Sequence, residues 1–155
     1  MLCDRTMPLH LKGRFYRTAV RPALLYGTEC WAIKKQQEHK MAVAEMRMLR
    51  WMSGKTRSDR IRNEEIRNKL GVCAIEDKMR ECRLRWFGHV QRRPEDAPVR
   101  RSDMLDVGEL IRGRGRPLKT WKQVIQKDMS IIGLDEKTVL DRNEWRRSIH
   151  TIEHI

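Results

Sequence analysis

No stretch of this sequence approaches the roughly 18–20 apolar residues that a helix needs to cross a bilayer. No signal peptide is read at Met1, so no membrane partner is expected. Cysteine is sparse and scattered: Cys3, Cys30, Cys73 and Cys82 form no CxxC pair. A disulfide scaffold would be denser, so reduced thiols in an intracellular chain, nuclear or cytoplasmic, are expected. Cys73, Cys82 and His89 are separated by eight and then six residues, which matches no common zinc spacing and leaves a fourth ligand missing. No metal site is expected. Period-two alternation is nearly absent, which excludes an extended sheet.

Catalytic patterns are lacking as well. There is no GxxxxGK[ST] phosphate loop, no GxSxG elbow, no HExxH and no Y-x-D-D turn. Two-metal phosphoryl transfer needs converging carboxylates. The acid pairs here are Glu64-Glu65, Glu76-Asp77, Glu95-Asp96 and Asp135-Glu136. They fall at expected helix starts or in a linker, where they favour the helix dipole or stay solvated. His89 is read as a packed or helix-terminal histidine. No catalytic residue is assigned.

What is present in excess is positive charge. Lys and Arg number 34 against 21 Asp and Glu, a formal +13 over 155 residues. Residues 47–119 carry 20 basic and 11 acidic side chains, whereas residues 120–155 carry six of each. A basic middle points to a localised footprint for a polyanion, since each neutralised phosphate releases counterions.

The apolar spacing predicts an all-α fold of several short amphipathic helices. Leu9–Leu25 reads as a helix with Leu11, Phe15, Ala19, Val20, Ala23 and Leu24 on its inner face, kinked or divided in two at Pro22. A second helix is expected over Gln36–Met52, a short one before Gly71, and a longer one over Ile75–Gln91 that buries Trp86. Pro and Gly among arginines make residues 93–118 an irregular basic linker. A helix over Lys119–Ile132 and a hairpin of 135–140 and 143–152 close the chain. The expected division is a helical region over 1–92, the linker over 93–118, and a small helical region over 119–155.

Several of these elements carry groups that bind nucleic acid. Arg83, Arg85, Arg92 and Arg93 lie along and beyond one helix, and Arg47 and Arg50 along another. Guanidinium groups grip phosphate bidentately and stack on bases. Trp51 and Trp86 are read as core anchors in preference to base platforms. Arg112, Arg114 and Arg116 form an RGRP segment with Pro117, the core of an AT-hook, and Lys119 follows it. Two arginines around a glycine suit the narrow minor groove of A·T-rich DNA, or any phosphate backbone.

LKGRFYRTAVRPALLYGTECW (Leu11–Trp31) and AEMRMLRWMSGKTRSDRIRNEEIRNKLGV (Ala44–Val72) together resemble the segment downstream of the catalytic palm in LINE-type, non-long-terminal-repeat reverse transcriptases. KMRECRLRWFGHVQRRPEDAPVRR (Lys78–Arg101), RGRGRPLKTW (Arg112–Trp121) and DRNEWRRSI (Asp141–Ile149) continue the likeness in order. The resemblance implies a thumb and C-terminal region that binds RNA, DNA or an RNA–DNA hybrid, with Leu11–Gly27 as a thumb helix. It also implies that the polymerase aspartates and their Mg2+ belong to a palm outside these residues. This part of the chain is then not expected to extend a primer alone. Two other readings stay open: a stand-alone DNA-binding module that uses RGRP, and a helical adaptor for another protein.

Overall fold

The computed structural model describes residue 4, residues 6–104 and residues 119–150. Within them the protein is all-α, with no strand. Helix α1 (Leu9–Phe15) runs through a π turn (Tyr16–Val20) into α2 (Arg21–Leu25). Then come α3 (Lys35–Met52), α4 (Asn63–Leu70), α5 (Ile75–Gln91) and α6 (Pro98–Met104). Helices α7 (Trp121–Ile132) and α8 (Arg142–Ile149) follow, joined by a 3-10 turn over Glu136–Leu140.

The first helix buries a different face from the one its apolar residues predict. Pro22 lacks the N–H that would reach Thr18, and its ring would press on that carbonyl. The chain widens to accommodate it: the Arg21 N–H donates to the Tyr16 carbonyl, five residues back. The buried stripe is consequently Lys12, Tyr16, Arg21 and Leu25, with steps of four, five and four. Leu11 (42% exposed), Phe15 (38%), Ala19 and Ala23 face outward, while Val20 and Leu24 are half-buried. A close approach to α4 sets this rotation. A Cβ at Gly13 would collide with the Leu70 carbonyl oxygen, so only glycine fits there. Lys12 donates from Nζ to the Met52 carbonyl at 3.0 Å, filling an acceptor left open at the end of α3.

Three apolar clusters result. Tyr16, Leu49, Met52, Ile66 and Leu70 join the π turn, α3 and α4. Leu25, Ile33, Ile75 and Met79 join α2 to the start of α5. Leu84 and Phe87 of α5 meet Ile125, Met129, Trp145 and Ile149 of α7 and α8. Helix α5 therefore carries both the second and third clusters.

Two buried ion networks cross-link these layers. Arg21 Nη2 donates to Glu45 Oε1 at 2.8 Å and to the Cys73 carbonyl at 2.6 Å. The Tyr16 hydroxyl donates to the same Glu45 oxygen at 2.7 Å, and its ring lies under the Arg21 guanidinium. In the other network Arg83 grips Asp128 of α7 bidentately at 2.6 and 3.2 Å. It also pairs with Glu38 of α3 at 3.4 Å.

The expected irregular linker begins with order. Pro94 accepts from Ala97, and Ala97 from Arg100 and Arg101, so a turn leads into α6 with Pro98 at its start. Proline suits a first helical turn because its missing N–H would find no partner there anyway. Residues 105–118 lie outside the described residues, and with them the RGRP segment.

Candidate nucleic-acid interface

An open groove of about 1200 Å3 lies between α2, α5 and α8. It exceeds the roughly 300–1,000 Å3 usual for small-molecule clefts. Eight of its eighteen wall residues are Lys or Arg, and one, Glu29, is acidic. That imbalance makes the groove cationic.

Four of those cations carry the positive potential. Arg92 and Arg93 lie just past the C-terminal end of α5, and Arg142 and Arg146 on one face of α8. Among the described residues none of the four makes an ion pair. Arg92 is aimed by a hydrogen bond from Nη1 to the Val139 carbonyl at 2.8 Å. Burial, and then the neighbouring charge of Arg142, hold its guanidinium below the ordinary value. Two cations facing one another without a carboxylate between them favour an anion. Arg93 donates to His89 Nε2 at 3.3 Å, which keeps it against the groove wall.

Other cations in the wall are partly neutralised. Lys78 and Arg85 share the buried carboxylate of Glu81, Lys78 at 2.8 Å and Arg85 more closely. Arg17 donates to the Gly71 carbonyl, and Arg21 belongs to the buried Glu45 network. The groove also holds a ring pair: Trp86 and His89 stack with centroids 5.4 Å apart at 24°. The neighbouring Cys82 thiol is pushed above its ordinary value by burial, which disfavours the thiolate.

Helix α8 is positioned by its cap and its anchor. Asp141 accepts from the backbone N–H groups of Asn143 and Glu144, which hold its carboxyl below the usual range. Trp145 lies buried over α5 and donates from Nε1 to the Leu84 carbonyl at 3.0 Å. That contact needs Gly88, because a Cβ there would strike the indole and the Arg92 guanidinium. With Trp145 and Ile149 facing inward, Arg142 and Arg146 are turned to the groove.

The sequence-predicted contacts separate into three groups. Arg85, Arg92 and Arg93 meet in the groove. Arg83 does not: at 2% exposure and paired with Asp128 and Glu38, it is a core cross-link and has no surface to offer a phosphate. Arg47 is exposed on α3, but Arg50 is committed to the α3–α4 loop. Its guanidinium donates to the Thr56 and Ile61 carbonyls and to Asn63 Oδ1. Lys119 is half-buried, with Nζ donating to the Ile33 carbonyl at 3.0 Å. Arg112, Arg114 and Arg116 lie outside the described residues. Trp51, expected in the core, is 61% exposed, and Trp86 is half-buried in the groove wall.

Sequence reasoning missed Arg142 and Arg146. Averaged over 120–155 the charge is zero, yet the two arginines stand four apart on one helical face, and that spacing was the available signal. Among the described residues no three His, Cys, Asp or Glu side chains come together to hold a metal ion. No described helix is long and apolar enough to cross a membrane. No protein-family model, curated protein or solved structure matches the chain.

Proposed function

We propose that this chain binds nucleic acid through the α2–α5–α8 groove. On the resemblance of Leu11–Trp31, Ala44–Val72 and Lys78–Arg101, it serves as the thumb and downstream region of a LINE-type reverse transcriptase. On this reading it grips the polymer and leaves phosphoryl transfer to a palm and its Mg2+. The observation that carries the binding is the set of four arginines, Arg92, Arg93, Arg142 and Arg146, in one groove without ion pairs among the described residues. Arginines left without carboxylates can neutralise phosphates, and each phosphate neutralised releases counterions condensed on the nucleic acid.

Fluorescence anisotropy with single-stranded RNA, A·T-rich duplex and RNA–DNA hybrid, each over a salt series, tests it. Binding that weakens steeply with salt is the expected result. A marked preference for the A·T duplex would move the reading to a stand-alone DNA-binding module. Flat, negligible binding to all three would move it to a protein-docking role. One observation favours that last role: Leu11, Phe15, Tyr26 and Trp31 are exposed along the first helix and the turn after it.

A further inference from the structure

We infer that the groove takes an unpaired strand rather than a duplex, with a base extending the Trp86–His89 stack and the adjoining phosphate held between Arg92 and Arg142. The inference rests on the nucleic-acid reading above and narrows its ligand. In a duplex the faces of the bases are covered by their neighbours, so the protein meets phosphates and base edges. An aromatic stack is useful only to a base that has left its helix. Here the stack sits within the groove wall, and His89 is exposed. Arg93 follows His89 by one helical turn and donates to His89 Nε2, fixing the ring plane. Arg92 is oriented independently by Val139, and Arg142 reaches the same space from the first turn of α8. A π surface and an unneutralised guanidinium pair thus line one groove, as a stacked nucleotide and its phosphate require. A groove built for backbone contact alone would have no use for the rings.

The test uses the full chain and three labelled probes of equal length: an oligouridylate, an oligothymidylate and a blunt RNA–DNA hybrid. Both single strands should bind roughly tenfold or more tightly than the hybrid at one salt concentration. Trp86→Leu should lose roughly ten- to a hundredfold of single-strand affinity and little of the hybrid affinity. Circular dichroism checks that this variant is folded. His89→Ala alters an exposed ring, should fold normally, and should weaken single-strand binding alone. If the hybrid binds as well as the single strands and His89→Ala changes neither, the unpaired-strand inference is overturned while the nucleic-acid reading stands. If no probe shows salt-dependent binding, the nucleic-acid reading fails and this inference fails with it.

Discussion

Tyr16, Arg21 and Glu45 show how one residue's setting decides its role. All three are buried, and the hydroxyl and guanidinium share a single carboxylate oxygen. Burial alone would lower the Arg21 value, but Glu45 more than offsets it and the net shift is upward. Removing one member of such a buried pair costs about 3–5 kcal/mol, because the other charge is stranded. Tyr16 is raised well above its ordinary value by burial and then by the Glu45 charge. The folded state therefore holds the phenol proton more tightly than the unfolded state. Its contribution is complete below about pH 10 and is lost as pH rises beyond that. Tyr16→Phe should flatten this alkaline decline, as read by urea midpoints at neutral pH and above pH 10. An unchanged slope would show that Tyr16 does not couple to folding. Little of this was legible in the sequence: Arg83 and Arg92 are the same residue type nine positions apart on or beside one helix. One cross-links α5 to α7 and the other faces the groove, because Asp128 lies opposite only the first.

Element bounds were far more legible than element faces. Ile75–Gln91 forms as its apolar period predicts, and α7 and the 3-10/α8 pair fall within a residue or three of expectation. The first helix fails at the level of its face. A period of 3.6 drawn through Pro22 ignores the extra residue of the π turn, which advances the helix by about 100°. Leu11 and Phe15 read as core for a second reason: nothing local reveals that Gly13 admits the Leu70 carbonyl and pulls Lys12 inward. Gly88 plays the equivalent part for the groove. Gly88→Ala would push Trp145 off Leu84 and crowd Arg92. Overpacking of this kind costs about 1–3 kcal/mol. A lower melting temperature should come with weaker nucleic-acid binding, since Arg142 and Arg146 ride on α8. A lower melting temperature with affinity intact would separate α8 from the groove.

Across the whole molecule, the +13 charge is a poor guide to where a polyanion binds. The basic middle of the sequence contributes Arg85, Arg92 and Arg93, but it also contains Arg83 and Arg50, which the fold uses internally. The neutral tail supplies the other half of the groove, because α8 segregates its arginines from its cap and its core residues. Charge averaged over sequence windows blurs a site that forms only when α8 packs on α5. The salt dependence of binding separates the two kinds of arginine. Each phosphate neutralised on a single strand contributes about 0.7 to the slope of log K against log salt. Arg142→Ala with Arg146→Ala should therefore reduce that slope by about 1.4 if both contact phosphate, with little loss of thermal stability. Arg83→Ala should do the reverse: it strands Asp128 in the core and lowers stability while leaving the slope unchanged. A slope that falls equally for both variants would mean that the binding surface is not this groove.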